Sequence, residues 1–389
     1  MAEREFDIVV YGATGFTGRL VAEYLAAEHA AIRWAMAGRS EAKLAEVRDL
    51  IGAPSDTPLL LADSSDPASL DALAAKTRAV VTTVGPYQLY GEPLVKACVA
   101  AGTDYVDLCG EPAWMHDIIR TYDAPARASG ARIVLSCGFD SIPFDLGVYH
   151  LQQAAIASTG APITQVKGRV RKMKGTFSGG TAASFAETMK RAGKQPEIIG
   201  WLKDPFSLVP GFEGPKQPSG SKVVFEADLD SWSAPFIMAS INTKNVHRSN
   251  ALLGHLYGED FVYDEMFLTG PGEQGESFAK MIANDKSMSE NPPKPGEGPS
   301  KEERETGFYD VMFTGLTKDG ERMTASVSGT RDPGYGSTSR MIAEAGLCLA
   351  FDVDRDTTPG GVYTTAPAMG DALIKRLQKH AGLRFAIEG

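Results

Sequence analysis

Up to residue 147, apolar side chains fall in short dense runs separated by stretches where they return every three or four positions. The runs 6–11, 32–37, 59–62, 80–84, 105–108 and 133–136 are rich in apolar or β-branched residues, as strands buried on both faces must be. Between them Leu20, Val21, Tyr24 and Leu25 share one helical face, and Leu44, Val47 and Ile51 share another. Segments 93–101 and 115–122 carry further helical patterns. This alternation predicts an α/β unit, a doubly wound parallel sheet that binds its ligands outside the carboxyl ends of the strands.

From residue 148 the rhythm stops. Strands are expected at 223–229, 235–241, 309–316 and 323–329, the last two joined by Thr317-Lys318-Asp319-Gly320-Glu321-Arg322, a hairpin with Asp-Gly at its turn. Segment 166–176 reads as an exposed strand on which Lys167, Arg169, Arg171, Lys172 and Lys174 partly alternate with Val166, Val170 and Met173. That stripe is either a solvated face or a grip for a carboxylate, a phosphopantetheine phosphate or an acidic carrier protein. A mostly antiparallel sheet follows, with a face available for dimerisation or substrate. Asn291-Pro292-Pro293-Lys294-Pro295-Gly296-Glu297-Gly298-Pro299 cannot continue a helix or strand and is a loop. Segments 339–349 and 366–380 read as helices, the second returning to the nucleotide-binding unit, with Gly360-Gly361 breaking the chain between them. The division expected is 1–147, 148–336 and 337–389.

Composition narrows the setting. The 389 residues suffice for two or three domains, and a net charge of -10 argues against nucleic acid as a partner. The charged start Met-Ala-Glu-Arg-Glu-Phe-Asp is not a signal peptide, and no apolar run approaches the ~18 residues that span a bilayer, so a cytoplasmic protein with at most peripheral lipid contact is expected. Cys98, Cys109, Cys137 and Cys348 lack paired spacing and the histidines lack a ligand motif, so neither disulfides nor a metal is expected.

The chemistry begins at the first turn. Gly12-Ala13-Thr14-Gly15-Phe16-Thr17-Gly18 follows the first strand and opens a helix. In such a loop Gly12 makes the tight turn, Gly15 lets the backbone approach a pyrophosphate and Gly18 allows helix to pack on strand, while the helix N-terminus faces the anion. The second strand leads into Gly38-Arg39-Ser40, where a nucleotide with a free 2′-hydroxyl calls for an acid; Arg39, with Ser40 and Lys43, suits the 2′-phosphate of NADP(H). The alternative is a solvated Arg39 with Ser40 as a plain helix cap. Asp63 is placed to accept from the adenine amine, whereas Asp66-Pro67 reads as a helix start. Val84-Gly85-Pro86 is expected near the nicotinamide ribose, with Tyr87 aimed into the cleft. Asp107-Leu108-Cys109-Gly110-Glu111 and Cys137-Gly138-Phe139-Asp140-Ser141-Ile142-Pro143 end strands five and six beside the reacting groups, with Cys109 and Gly110 against the cofactor.

Together GATGFTG, AGRS, TTVGPY, YVDLCGE and GFDSIPFDLG resemble the NADP-binding domain of the saccharopine dehydrogenase-like oxidoreductases. SGGTAAS from Ser178, PGEGPSKEERETGFY from Pro295 and GGVYTTAPAMGDALIKRL from Gly360 resemble the subgroup that includes the trans-acting enoyl reductases of mycobacterial lipid synthesis, nearly end to end. One departure is Phe144, where the family pattern more often has Ser or Thr. The resemblance implies a Rossmann-type NADP-binding sheet, a second α+β domain and delivery of a hydride, in trans, to an unsaturated acyl chain on a polyketide synthase. Such chemistry leaves an enolate that needs a hydroxyl or N–H donor and a proton source. Tyr87, Ser141 and Tyr149 are the hydroxyl candidates, Glu111 and Asp140 the acids. Ser178-Gly179-Gly180-Thr181 could roof the nicotinamide or simply start a helix, and Trp201, Phe206 and Phe212 could line an acyl channel or pack as core. Two other functions fit: an NADP-dependent amino-acid or secondary-amine dehydrogenase with Arg169 and Arg171 as carboxylate clamp, and a non-enzymatic NADP-binding partner protein at a lipid surface or synthase. A homodimer is plausible for all three.

Overall fold

A computed structural model of the chain describes residues 4–175, 179–285 and 297–388; Thr176, Ser178 and the Asn291 to Gly296 part of the proline-rich loop lie outside them. Strands β1 (Phe6–Tyr11), β2 (Trp34–Gly38), β3 (Leu59–Leu61), β4 (Thr77–Thr82), β5 (Asp104–Val106) and β6 (Arg132–Val134) form the first sheet, every neighbouring pair parallel. Each apolar run yields a strand, because Ile8, Val9, Val10, Val80, Val81 and Val106 are wholly enclosed between helical layers. The connecting helices are Phe16–Glu28, Glu41–Leu50, Pro67–Lys76, Glu92–Ala101 and Pro112–Ser129, with a short turn at Tyr87–Tyr90. Asp66 caps the Pro67–Lys76 helix, its Oδ1 accepting from the Ala68 N–H at 3.2 Å.

The second sheet contains β7 (Gln165–Lys174), β8 (Val224–Glu226), β9 (Ser231–Pro235), β10 (Val262–Gly270), β11 (Phe308–Leu316) and β12 (Arg322–Gly329). The strand β13 (Gly361–Tyr363) returns to the first sheet beside β6, and β14 (Leu383–Glu388) closes the order β14-β12-β11-β7-β10-β9-β8. All pairs in the second sheet are antiparallel except β7 with β10. The Asp-Gly hairpin lies between β11 and β12 as expected, with Gly320 at φ 83°.

Four expectations need correction. Segment 235–241 is not a strand: β9 ends at Pro235 and the helix Ala239–Leu252 begins soon after. Segment 223–229 pairs only over Val224–Glu226. β10 and β14 were not foreseen; β10 carries Asp264 and Glu265 inside the molecule, which breaks its apolar pattern. β14 does alternate, Leu383 and Phe385 inward with Arg384 outward, a signal present in the sequence.

The helix Ile142–Thr159 leaves β6 and crosses onto the second sheet, where a side chain on Gly147 would collide with the Phe313 ring. Phe144 sits among Phe139, Phe236 and Phe313, which is why a phenyl ring replaces a hydroxyl there. The helix Thr338–Phe351 packs back on β1, β4, β5 and Phe16–Glu28. Thus the sheets meet along the carboxyl ends of β1, β2, β4, β5 and β6. No helix among the described residues is long and apolar enough to cross a membrane.

Candidate functional site

A cavity of about 660 Å³ opens over those strand ends, bounded by the glycine loop, Arg39, Val84, Gly85, Gly110 and Asp140 on one side and by residues of the second region on the other. Gly12 takes φ +88°, a left-handed conformation, and a side chain there would lie 2.6 Å from the Val84 methyl. A side chain on Gly18 would overlap the Gly12 carbonyl. Thr14 and Gly15 are exposed to the cavity, and no side chain caps the helix that Gly15 starts. Its first-turn N–H groups are therefore presented to whatever anion the cavity holds. Ala13 is enclosed behind the loop, while Phe16 and Thr17 line the opening. A cradle that a Cβ would fill, ahead of an uncapped helix, fits a dinucleotide pyrophosphate.

Arg39 is exposed on the cavity wall and makes no ion pair among the described residues. Ser40 caps the following helix, its hydroxyl accepting from the Lys43 N–H at 3.4 Å; neither Ser40 nor Lys43 lines the cavity. Asp63 binds the N–H and hydroxyl of Ser65, which hold its carboxyl below the usual range; its neighbour Ser64 lines the cavity. The wall thus offers the guanidinium for a 2′-phosphate, with Ser40 and Asp63 engaged locally.

At β4 and β5 several candidates turn out to be ties. The ring of Tyr87 faces the cavity, but its hydroxyl donates to the Thr82 carbonyl at 3.3 Å and accepts from the Leu108 N–H at 3.0 Å. Glu111 is 1% exposed. Its carboxylate accepts from the N–H groups of Tyr87 and Gln88 at 2.8 and 2.9 Å and from the Ser184 hydroxyl at 2.6 Å. Burial raises its proton affinity while these donors pull it back. Glu111 therefore pins the helix Gly179–Ala192 to the first sheet, assisted by Gln88, whose amide reaches the Thr188 hydroxyl at 3.0 Å. Pro86 and Cys109 do not line the cavity; the Cys109 thiol is buried and its proton affinity is raised by desolvation. Tyr149 lies against Gly370 in the helix Thr365–Arg376, away from the cavity.

Asp140 is the acid that faces the cavity. It also borders a smaller apolar cavity of about 110 Å³, lined by Phe139, Met173, Phe236 and Met238. Its Oδ1 is closed to solvent without a hydrogen-bond partner, and burial alone pushes its pKa up to about 7. The adjacent Ser141 is 1% exposed and does not reach the cavity. Its hydroxyl donates to Asn242 Oδ1 and accepts from Asn245 Nδ2, both at 2.7 Å; Asn242 Nδ2 donates to Glu265 at 2.9 Å, and the Tyr263 hydroxyl donates to the same carboxyl group at 2.9 Å. Asn242, Asn245, Tyr263 and Glu265 carried no recognisable motif, and their burial depends on contacts distant in sequence.

Gly180, Thr181, Ser184, Phe185, Leu202, Ile237, Met238 and Ile241 form the opposite wall. Trp201, Phe206 and Phe212 do not: Trp201 stacks on His116 at 3.9 Å and Phe206 packs between Phe212 and His247. Three of the five cations of the β7 stripe are paired with acids. Arg169 is buried between Glu226 at 2.7 Å and Asp264 at 3.0 Å, Lys167 meets Asp228 at 2.8 Å, and Arg171 meets Asp310 and Glu388 at 2.8 and 2.7 Å. Among the described residues that line the main cavity, Arg39 is the one cation and Asp140 the one acid. No cluster of three or more potential metal ligands occurs among the described residues.

Residues 8–134 match the saccharopine dehydrogenase NADP-binding domain. A Mycobacterium tuberculosis protein that bears the provisional name of trans-acting enoyl reductase is 44% identical over 400 residues, covering 96% of each chain. The trans-acting enoyl reductase of Mycobacterium bovis is 40% identical, over 97% of this chain and 96% of its own. Apo saccharopine dehydrogenase (L-Glu forming) from Saccharomyces cerevisiae shares the fold at 12% identity, with a TM-score of 0.56 over 99% of this chain and 100% of that one. With a glycine loop and Arg39 that suit NADP(H), and with this end-to-end likeness, the chain belongs to the trans-acting enoyl reductase group of the saccharopine dehydrogenase-like oxidoreductases.

Proposed function

We propose that this protein is an NADPH-dependent enoyl reductase that acts on an unsaturated acyl thioester carried by a separate protein, a polyketide synthase or its carrier domain, in lipid or polyketide metabolism. The observation that carries this reading is the cavity: it is lined by the glycine loop, by Arg39, by a single acid with no cation beside it among the described residues, and by a largely apolar wall from the second region. When bound, NADPH supplies the hydride that an enoyl thioester accepts at its β-carbon. The glycine loop and the Phe16–Glu28 helix N-terminus would hold its pyrophosphate, and Arg39 its 2′-phosphate.

The chain must then deliver a proton to the α-carbon. Asp140, raised to about 7 by burial, keeps a proton at neutral pH that an ordinary aspartate would have lost, so it acts as the general acid and is recharged from water. Tyr90, Phe185 and Ile237, respectively 43, 55 and 49% exposed, continue the apolar wall out to the surface, a path for an acyl chain. An amino-acid substrate would need a carboxylate clamp, and Arg169 and Arg171 are both consumed by acids. A homodimer in the cytoplasm remains part of the proposal, supported by the open edge at β8, where Val224 and Phe225 are exposed.

The test is a panel of NADPH reactions with enoyl thioesters, free and pantetheine-bound, against amino acids and imines. Saturated thioester as the product is the expected result; NADPH consumption with amino-acid-derived imines alone would overturn the reading.

A further inference from the structure

No side chain among the described residues holds Asp140, so its aim depends on the turn it stands on. That turn is fixed on one flank by Thr338, whose hydroxyl accepts from the Phe139 N–H at 3.0 Å, and on the other by the Ser141 hydroxyl between Asn242 and Asn245. The Ser141 hydroxyl joins the two amides, accepting from Asn245 Nδ2 and donating to Asn242 Oδ1. Glu265 continues the chain on the far side of Asn242, accepting from its Nδ2 at 2.9 Å; burial raises the proton affinity of Glu265, and the bonds from Asn242 and Tyr263 pull it back. Glu265 is itself held by Tyr263, whose hydroxyl occupies space that a side chain on Gly168 would take, 2.6 Å away. All four of Ser141, Asn242, Asn245 and Glu265 are at most 1% exposed.

We propose that Glu265 is a positioning residue for the acid Asp140, acting through Asn242 and Ser141 without touching substrate or cofactor. The inference rests on the reading of Asp140 as general acid. It assigns a role to β10, a strand of the second sheet, in aiming a group at the end of the first.

The test is steady-state reduction of a short enoyl thioester, together with NADPH titration, for wild type, Glu265→Leu, Glu265→Gln, Asn242→Ser and the double variant. Glu265→Leu is expected to lower kcat about 30-fold while NADPH Kd and substrate KM stay within about twofold, and Glu265→Gln, whose carbonyl still accepts from Asn242, to stay within about threefold of wild type. Asn242→Ser in the Glu265→Leu background should cost no more than either change alone, because both break one chain. A Glu265→Leu enzyme with wild-type kcat, losses that multiply in the double variant, or loss of NADPH binding in step with kcat would overturn the proposal. Should Glu265→Leu fail to fold, Asn242→Ser alone reads the same link, and wild-type kcat there would overturn it equally. Asp140→Asn run alongside separates the two claims: full activity in that variant removes the acid assignment itself, whereas its loss beside a normal Glu265→Leu removes only the inference.

Discussion

Arg39 and Asp140 line one cavity, and each owes its usefulness to what does not touch it. Arg39 makes no ion pair among the described residues, so a phosphate dianion gains its full charge-assisted hydrogen bond. Arg39→Ala should weaken NADPH about 10- to 100-fold in a fluorescence titration and leave NADH unchanged, since such a bond contributes about 1.5–3 kcal/mol. Asp140 has no cation beside it, and burial raises its pKa from 3.8 to about 7. As the proposed general acid it must carry its proton, so kcat should fall as pH rises through about 7, and Asp140→Asn should abolish that limb together with most of the rate. The same shift acts on stability with a definite sign: the folded state holds this proton more tightly, so stability is lost between pH 3.8 and about 7 and stays lost above. Asp140→Asn should therefore melt above wild type at pH 8, the difference closing near pH 4; a lower melting temperature at pH 8 would contradict it. The positions of the glycine loop, Arg39 and Asp140 on the cavity were legible in the sequence because they follow from the strands that carry them. Tyr87, Glu111, Ser141 and Tyr149 were equally polar and equally near strand ends, yet partners up to a hundred residues away, such as Asn242 and Ser184, decide what their atoms do.

Two helices show how elements are read and misread. Gly179–Ala192 is an element of modest apolar content that gains its place from Glu111, so the cavity wall depends on a carboxylate at the start of the helix Pro112–Ser129. Glu111→Ala would strand the N–H groups of Tyr87 and Gln88 and the Ser184 hydroxyl, about 1–3 kcal/mol for each group left buried without a partner. The expected result is a substrate KM raised about tenfold and faster proteolysis within 179–192, with NADPH Kd little changed; unchanged KM would show that the helix needs no such pin. Ala239–Leu252 has no amphipathic stripe at all. Asn242, Lys244, Asn245, His247, Arg248, Ser249 and Asn250 are all buried on it, and Arg248 alone ties the Leu208 and Val362 carbonyls at 2.7 and 2.6 Å. A helix that is polar in sequence and buried in space defeats periodicity, which is why a strand was expected at its start. β10 failed for the same reason, through Asp264 and Glu265, whereas the hydrophobic strands β1, β4 and β11 were found within a few residues.

At the scale of the whole molecule, the first sheet supplies a nucleotide cradle and the second a lid of side chains, and the chain crosses between them more than once. It leaves by Ile142–Thr159 and returns by Thr338–Phe351 and β13, so the Asp140 turn sits at the crossing point, held from both sides. In this chain the cavity so formed is lined by one acid, one cation and a wall that is largely apolar on the side of the second region. The second sheet was legible as mostly antiparallel, but the contribution of its region to the site was not, since Met238 and Ile241 reach the cavity wall only through packing. The most direct measurement is enoyl thioester reduction in heavy water by wild type and Asp140→Asn, with the product read by mass spectrometry and NMR. The account predicts a saturated thioester from wild type with one deuterium, on the α-carbon, and turnover at least about 100-fold slower in Asp140→Asn with NADPH affinity retained. No saturated product from wild type, or an Asp140→Asn enzyme that turns over as fast, would contradict it.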